Sequence, residues 1–275
     1  MKLLYASDLH GNRVLYERLL RRAAEKDIEG VVLGGDLCPR GGSTMKEWVA
    51  FQRSFLVDYL VPVCTEFRMK HPEKKIFIIL GNDDFRANVD ILEEAEGKGI
   101  LFYIHNKKVE LGNGYAIVGY SFVNITPFRL KDWEKKDIPS SIEPTQLSAD
   151  VLRSIEEEKG TMQEDMEALS RLSDPRKTIY IIHCPPFNTH LDIITSGEHV
   201  GSVAVRNFIE KYSPSATLHG HIHESRKMSG SWMDIIGETL SVNVGSLHSM
   251  DRVSCCVIDV EHPHTATYEE LTLHT

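Results

Sequence analysis

Short apolar runs recur along the chain, and each of them stops abruptly at polar residues. The five clearest runs are Leu3–Ala6, Val31–Leu33, Ile76–Leu80, Ile179–Ile182 and the pair Thr217-Leu218. Short continuous apolar runs are typical of strands that are buried on both faces of a sheet. The pattern therefore predicts a series of buried strands that end in polar residues.

Helical periodicity occupies the segments between these runs. The three predicted helices are Val14–Lys26, Trp48–Met69 and Ser202–Lys211. In the last of them Val205, Phe208 and Ile209 are spaced as a buried stripe, and Ser202 is a natural N-cap. The alternation of strands and helices indicates an α/β domain whose sheets are covered by helices.

The C-terminal part follows a different pattern. Thr239–Val244, Val253–Val260 and Thr265–Leu273 predict successive strands that pair antiparallel. Two sheets flanked by helices would accommodate both halves of the chain.

The polar stretch from Asn124 to Arg176 stands apart from this alternation. It contains four prolines and an acidic helix that we predict over Asp150–Leu172. Because no clear linker separates it from the rest, we interpret residues 124–176 as a cap or insertion within one domain that spans residues 1–275.

Composition narrows the classes of function. A net charge of -9 argues against non-specific binding of nucleic acid, although bound cations would still allow a small anionic substrate. The five cysteines are scattered without a C-x-x-C pair, which predicts neither a disulfide framework nor a cysteine zinc site. No apolar run is long enough to cross a bilayer, so we expect a cytoplasmic protein without a membrane partner. The Trp48–Met69 helix carries enough apolar residues for either a core face or a homodimer face.

The polar residues after the apolar runs are carboxylates, an amide and imidazoles. In open α/β sheets the carboxyl ends of the strands are where ligands bind, so we expect these side chains to share one site. Oxygen and nitrogen ligands without a thiolate suit Mn²⁺, Fe²⁺ or Zn²⁺.

These residues form five short motifs in chain order. They read Asp8-Leu9-His10, Gly35-Asp36, Gly81-Asn82-Asp83-Asp84, His183 and Gly220-His221-Ile222-His223. The set resembles the D-x-H, G-D, G-N-H-[DE], H and G-H-x-H blocks of the calcineurin-like metallophosphoesterase superfamily. Val242–Ser246 also resembles the family's N-P-G-S stretch, with Val244 in place of Pro. The resemblance implies a four-layer α-β-β-α sandwich of two mixed sheets, with a metal site at the carboxyl ends of the strands.

The resemblance also implies two divalent metal ions that share Asp36. The implied ligands are Asp8, His10, Asp36 and His223 for the first ion, and Asp36, Asn82, His183 and His221 for the second. Two such cations polarise phosphoryl oxygens and generate hydroxide from bound water near neutral pH. The implied activity is the hydrolysis of a phosphomonoester or phosphodiester by a hydroxide that bridges the metals.

The chain departs from the family pattern at two linked positions. Asp83 replaces the usual histidine after Asn, and Pro39 occupies the position of the aspartate that orients that histidine in protein phosphatases. The loss of both argues against a Ser/Thr protein phosphatase. Asp83 would serve as a proton donor, as a partner of the ligands or as an added ligand. Arg40 matches a family position that contacts phosphate, with a solvated surface arginine as the alternative.

The loop after His183 offers other candidates for the missing acid. We hypothesise that His190 or His199 donates the leaving-group proton and that Arg206 assists, the alternative being that they order the loop. Arg40, Asn82 and Arg206 are the candidate substrate contacts. The free N–H groups after Ser202 would receive an anion.

Two other functions remain open at this point. A nuclease resembling the double-strand-break repair exonucleases would use the same five blocks, but the acidic balance of the chain argues against it. A non-catalytic scaffold would keep the fold, but such relatives lose metal ligands. The sequence leaves open the substrate, the native metals and the choice between monoester and diester.

Overall fold

The computed structural model describes residues 1–147, 150–247 and 252–272. The strands are β1 (Lys2–Ala6), β2 (Gly30–Gly34), β3 (Lys75–Ile79), β4 (Phe102–Tyr103), β5 (Lys108–Gly112), β6 (Tyr115–Tyr120), β7 (Val123–Asn124), β8 (Glu134–Lys135), β9 (Thr178–Ile182), β10 (Ala216–His219), β11 (Met233–Ile236), β12 (Thr239–Asn243), β13 (Val253–Asp259) and β14 (Thr267–Leu271). The helices are α1 (Arg13–Ala23), α2 (Met45–Phe55), α3 (Val61–Lys70), α4 (Val89–Gly97), α5 (Met162–Leu169), α6 (Val203–Tyr212) and α7 (Ser225–Ser229). Shorter turns of 3₁₀ helix lie at Arg86–Asn88, Pro175–Lys177 and Pro263–Thr265.

Two six-stranded sheets form the centre of the molecule. The first has the order β14-β13-β1-β2-β3-β4, with β1 to β4 parallel and β13 antiparallel to β1 and to β14. The second has the order β11-β12-β10-β9-β6-β5, with the four middle strands parallel and an antiparallel strand at each edge. The strands predicted from the five apolar runs are confirmed.

Alternate residues of each strand face different layers. Leu3 and Tyr5 of β1 belong to a buried cluster that also holds Ile179 and Leu218 of the second sheet, so this cluster lies between the two sheets. Leu4 belongs to the other large cluster, which includes the buried residues of the helices. Both faces of the strand are therefore covered, which explains why the run has no polar positions.

Helices cover the outer faces of the sheets. Helix α6 lies on the second sheet, where the rings of Phe208 and Tyr180 are 4.9 Å apart. Its predicted N-cap is confirmed, since Ser202 Oγ accepts a hydrogen bond from the Val205 N–H at 3.0 Å. The predicted Trp48–Met69 helix is also present, as α2 and α3 joined by a π-helical turn at Leu56–Leu60. The four-layer fold expected from the sequence is confirmed.

The predicted antiparallel run at the C-terminus is wrong in one respect. β12 belongs to the second sheet and runs parallel to β10, while β13 and β14 pair antiparallel in the first sheet. Strand neighbours are set by contacts between distant parts of the chain, which local periodicity does not record. Leu273, at the end of the third predicted strand, lies outside the described residues.

The predicted acidic helix is shorter than expected. Helix α5 covers only Met162–Leu169. Thr161 is its N-cap, and the side chains of Thr161 and Glu164 form a reciprocal capping box. The residues before it are held by side chains instead: Ser154 N–H donates to Asp132 Oδ1 at 2.6 Å. The description of residues 124–176 as a cap within one domain stays a prediction.

All five cysteines are buried and free. Among the described residues, no helix is both long and apolar enough to cross a membrane.

Candidate metal centre

The carboxyl ends of parallel strands from both sheets converge on the candidate site. Asp8, Asp36 and Asn82 follow β1, β2 and β3 of the first sheet. His183 and His221 follow β9 and β10 of the second sheet. Of the predicted ligands, the first sheet thus supplies mainly oxygen atoms and the second supplies imidazoles.

Four residues of this site have left-handed backbone conformations that are uncommon for side chains with a Cβ. The φ angles are 58° at Asp8, 45° at His10, 52° at Asp36 and 67° at His221. Hydrogen bonds between the first two loops support this backbone, because the N–H groups of Asp8 and His10 donate to the carbonyls of Gly35 and Asp36 at 3.0 and 2.9 Å. Strain of about 1–3 kcal/mol per residue is typical of functional sites.

The residues predicted for the first metal lie together. The ligand atoms of Asp8, His10, Asp36 and His223 are all within 4.8 Å of one another. His223 Nε2 lies 3.2 Å from Asp8 Oδ1 and 3.1 Å from His10 Nε2. Two carboxylates and two imidazoles at this spacing can surround one divalent cation.

The residues predicted for the second metal lie around Asp36. His183 Nε2 is 3.4 Å from Asp36 Oδ1, and His221 Nδ1 is 2.5 Å from Asn82 Oδ1. The rings of His183 and His221 are 5.6 Å apart. Asp36 therefore lies between the two predicted sets of ligands.

His183 tests whether these residues suit a metal. Its Nδ1 donates to the Gly34 carbonyl at 2.8 Å, so in the neutral ring the lone pair lies on the buried Nε2, and this atom makes no hydrogen bond within the described part of the chain. A ligating histidine is commonly fixed in this way through its other nitrogen. A Cβ at Gly81 would also lie only 2.5 Å from His183 Nε2, so glycine keeps this space clear. The donor set fits divalent cations.

Burial and neighbouring charges shift the pKa values of the aspartates and histidines in the cluster. Burial alone would raise the pKa of Asp8, but His223 outweighs burial and lowers it to about 2. Burial alone would lower the pKa of His183, but the Asp36 and Asp8 carboxylates outweigh burial and raise it to about 9. Burial lowers the pKa of His221 to about 4. A bound cation would take the place of the proton on His183.

Asp84 is a structural residue of the site to which the sequence analysis gave no role. Its carboxylate accepts hydrogen bonds from the N–H groups of Leu37, Cys38 and Gly81 at 3.1, 2.8 and 2.9 Å. It therefore ties the loop that carries Asp36 to the loop that carries Asn82. Its place as the last residue of the G-N-D-D block was the available signal.

Hydrogen bonds also fix the loops that follow the strands of the second sheet. Asn243 Nδ2 donates to the carbonyls of Gly220 and Ile222 at 3.1 and 3.2 Å, which fixes the loop of His221 and His223. His219 Nδ1 lies 2.8 Å from the Ile182 carbonyl oxygen, beside His183. Asn243 of the Val242–Ser246 stretch thus fixes the loop that carries two of the predicted imidazole ligands.

Asp83 and Arg40 form an ion pair next to the cluster. Arg40 Nε donates to Asp83 Oδ2 at 2.6 Å, and its Nη2 contacts the same oxygen. His10 Nδ1 lies 3.6 Å from that oxygen. Burial and the charge of Asp36 raise the pKa of Asp83 to about 7, and Arg40 acts in the opposite direction. The residue that replaces the family histidine therefore holds Arg40 beside the cluster.

The loop histidines occupy different surroundings. His199 lines the cavity described below, and its Nδ1 lies 2.7 Å from Oδ1 of the buried Asp192. His190 is largely exposed, lies outside that lining and pairs with Asp234 at 3.1 Å. Arg206 also lies outside the lining and pairs with Glu210 at 2.6 Å. The structure brings His199 to the cavity, but it does not bring His190 or Arg206 there.

The predicted anion site at Ser202 is wrong, because the chain's own carboxylate occupies it. Asp137 Oδ2 accepts from the Val203 N–H at 2.7 Å, and Oδ1 accepts from the Ala204 N–H at 3.2 Å. Asp137 lies 65 residues before Ser202, and such a distant cap leaves no local sequence signal.

A cavity of about 1060 Å³ opens onto the cluster. Asp36, Asn82, His221 and His223 line one part of it, and Arg40, Asp83 and His199 also contribute. Much of the remaining wall comes from residues 124–147, the first part of the predicted cap. The candidate metal centre therefore adjoins a space much larger than a phosphate group.

Comparison with known proteins identifies the family of this chain. The sequence profile of the calcineurin-like phosphoesterases matches residues 1–225. The chain therefore belongs to the calcineurin-like phosphoesterase family. Together with the His/Asp cluster, this membership supports a hydrolase that acts on phosphoesters with divalent metal ions.

Solved structures share the fold at low sequence identity. A protein from Thermus thermophilus is 15% identical with a TM-score of 0.62, and the match covers 98% of each chain. A dimetal phosphatase from Danio rerio is 9% identical with a TM-score of 0.55, and the match covers 93% of this chain and 92% of that one. GAP50, the anchor in the inner membrane complex of Plasmodium, is 11% identical with a TM-score of 0.51, and the match covers 99% and 88%. At these identities the likeness supports the fold alone. No curated protein matches the chain by sequence.

Proposed function

We propose that this protein hydrolyses a phosphomonoester or phosphodiester at a dinuclear metal centre bridged by Asp36. The observation that carries the proposal is the position of Asp36. Its carboxylate belongs to the four-ligand cluster and also lies 3.4 Å from His183 Nε2 of the other predicted ligand set.

The two metal sites would use ligands from both sheets. Asp8, His10, Asp36 and His223 would hold one ion, and Asp36, Asn82, His183 and His221 would hold the other. When bound, two divalent ions of the Mn²⁺, Fe²⁺ or Zn²⁺ type would polarise the phosphoryl group and lower the pKa of bound water. A shared carboxylate would reduce the repulsion between the two ions.

Arg40 would bind a phosphoryl oxygen beside the metals. Its guanidinium fork suits a phosphate, and Asp83 holds it at 2.6 Å from one side. Asp83 acts in this proposal as a positioning residue for Arg40, because its carboxylate is already engaged by the guanidinium.

His199 would donate the proton to the leaving group. Asp192 faces its Nδ1 at 2.7 Å, which leaves Nε2 for a substrate oxygen in the shared cavity. Asp192 is itself held by the N–H groups of Asn188 and Gly201, both at 3.0 Å. The Asp192–His199 pair would thus replace the histidine–aspartate pair that is missing at positions 83 and 39.

The test is hydrolysis of bis-p-nitrophenyl phosphate and p-nitrophenyl phosphate after chelation and addition of Mn²⁺. Wild type should regain activity with metal, whereas Asp36→Asn should lose at least about 10³-fold. Asp90→Asn, which changes an exposed carboxylate that pairs with Arg53, is the matched control and should behave as wild type. Absence of metal-dependent activity in wild type with both substrates, or full activity in Asp36→Asn, would contradict the proposal.

A further inference from the structure

The size of the cavity carries information about the substrate. Its volume of about 1060 Å³ lies just above the range for drug-sized ligands, which is about 300–1,000 Å³. A phosphoryl group at the metal ligands would fill a small part of it. The remainder must accommodate the organic part of the ester.

The wall away from the metal ligands is largely aliphatic. The aliphatic side chains that line it include Ile125, Leu130, Ile138, Ile142, Leu147 and Ile194. Several apolar lining side chains are unusually exposed, with 53% of Phe128, 96% of Ile142 and 76% of Leu147 open to solvent. Exposed apolar side chains that cluster beside a candidate active site indicate a surface that binds an apolar group.

Several polar side chains of the same wall already have partners within the protein. Asn124 Nδ2 donates to the Val200 carbonyl at 3.2 Å, and its Oδ1 accepts from Cys184 Sγ at 3.0 Å. Ser141 Oγ donates to the Ile138 carbonyl at 2.9 Å. Recognition of a nucleobase or a sugar requires donors and acceptors that are available to the ligand. These side chains are therefore poorly suited to read such a polar group.

The cationic side chain of Arg129 is committed in the same way. Arg129 Nη2 lies 2.8 Å from Asp150 Oδ2. Arg40, which pairs with Asp83, lies beside the metal ligands, and Lys136 is a further cation of the lining. Arg40 is therefore placed to contact a phosphoryl group at the cluster, and the aliphatic side chains come mainly from residues 124–147.

We propose that the substrate is a phosphate ester of an apolar, aliphatic alcohol, and that residues 124–147 bind its hydrocarbon part. The phosphoryl group lies at the metal ligands and the chain extends along the aliphatic wall. This inference rests on the proposed phosphoesterase function and adds the substrate class to it.

The hydrolytic test uses butyl, hexyl and octyl phosphates, with release of inorganic phosphate, and the matching alkyl p-nitrophenyl diesters. A methylene that becomes fully buried raises kcat/KM about fourfold, so octyl should exceed butyl by at least about tenfold. The p-nitrophenyl ester of thymidine monophosphate is the polar comparison and should be a poorer substrate than the octyl diester. Equal kcat/KM values along the alkyl series, or a preference for the thymidine ester, would overturn the proposal.

A variant with two polar substitutions locates the effect in the wall. Phe128→Ser combined with Ile142→Ser changes two exposed side chains, so folding should persist, and it should lower kcat/KM for the octyl esters more than for the butyl esters, which flattens the dependence on chain length. The matched control is Met69→Ser combined with Ile235→Ser, which changes side chains that are 79% and 48% exposed and lie outside the cavity. An unchanged chain-length dependence in the Phe128/Ile142 variant, or its loss in the control, would contradict the assignment of the wall.

A binding measurement separates this inference from the proposed function. Calorimetry with octyl phosphate and butyl phosphate should show at least about tenfold tighter binding of octyl phosphate to wild type, and a lost preference in the Phe128/Ile142 variant. If no ester is hydrolysed but this preference is present, the hydrolytic proposal fails and the apolar binding site stands. If hydrolysis occurs without any preference in rate or binding, the substrate class proposed here is wrong.

Discussion

The charged side chains of the metal-ligand cluster are arranged differently from those along the rest of the cavity. In the cluster, Asp8, His10, Asp36 and His223 place their ligand atoms within 4.8 Å of one another, on a backbone that is left-handed at three of the four. Along the rest of the cavity, charged side chains form separate pairs, such as Arg40–Asp83. A cluster of this kind suits a shared cation. In a separate pair, each side chain can change its conformation without moving the other residues of the site.

This difference predicts that the cluster tolerates little change and that the paired side chains tune the reaction. The space beside Gly81 is closed, because a Cβ there would overlap Asp36 and lie 2.5 Å from His183 Nε2. The cavity pairs are partly exposed, as the 61% exposure of the Arg40 side chain indicates. Four predictions sharpen this comparison, beginning with the largest expected effect.

Gly81→Ala should abolish metal-dependent activity, with a loss of at least about 10²-fold. The new Cβ would overlap Asp36 Oδ1 and lie 2.5 Å from His183 Nε2, so the ligands must move apart. Gly97→Ala is the matched control, because a Cβ there meets nothing within 4 Å. The control should keep activity, and stability should rise by about 0.4–1 kcal/mol. Equal metal content and turnover in Gly81→Ala and wild type would contradict the tight packing of the cluster.

His199→Gln should lower kcat by about 10²–10⁴-fold for esters with an alkyl leaving group. The effect should be small for p-nitrophenyl esters, because p-nitrophenolate leaves without needing a proton. His190→Gln is the matched control, since His190 lies outside the cavity lining. Equal losses for both leaving groups would indicate that His199 only orders its loop.

Arg40→Ala should raise KM by about tenfold or more through the loss of a charged hydrogen bond to phosphate. Asp83→Asn should raise KM less, by a few-fold, because Arg40 remains but loses the carboxylate that holds it. The comparison requires kcat and KM separately, together with metal content. A larger effect of Asp83→Asn than of Arg40→Ala, or loss of metal in Asp83→Asn, would assign Asp83 to the metal cluster instead.

The affinity for metal should rise with pH. Although burial favours a neutral ring, Asp36 and Asp8 raise the pKa of His183 to about 9, so this imidazole holds a proton near neutral pH and must release it to bind a cation. For one released proton the affinity should rise by at most about tenfold per pH unit until the pH approaches about 9. Calorimetry of Mn²⁺ binding in buffers with different ionisation enthalpies measures this proton. Identical heats in all buffers would show that no proton is released.

The strands and the ligand motifs were readable from the sequence because their signals are local. Asp8 and His10 stand two and four residues after β1, and Asp36 stands two residues after β2. A buried apolar run and the polar turn that follows it are adjacent in the chain. The resemblance of the motifs to the blocks of the family then implied which of these residues share a site.

Other features depend on residues that are distant in the chain. Asp137 caps α6 from 65 residues away, and β12 joins the second sheet through its contact with β10. The pairing of His199 with Asp192 spans only seven residues, but it depends on a loop conformation that periodicity does not describe. From the sequence, His190 and His199 were equal candidates for the proton donor. The loop conformation places His199, and not His190, at the cavity.

The most direct test of the account is the number of metal ions that the cluster binds and whether they interact. Wild-type protein, freed of metal and titrated with Mn²⁺, should bind two ions per chain with the electron paramagnetic resonance signal of a coupled pair. Asp36→Asn should lose the coupled signal and at least one ion, while Asp90→Asn should retain both. A single uncoupled ion in wild type, or a coupled pair that persists in Asp36→Asn, would contradict a dinuclear centre bridged by Asp36.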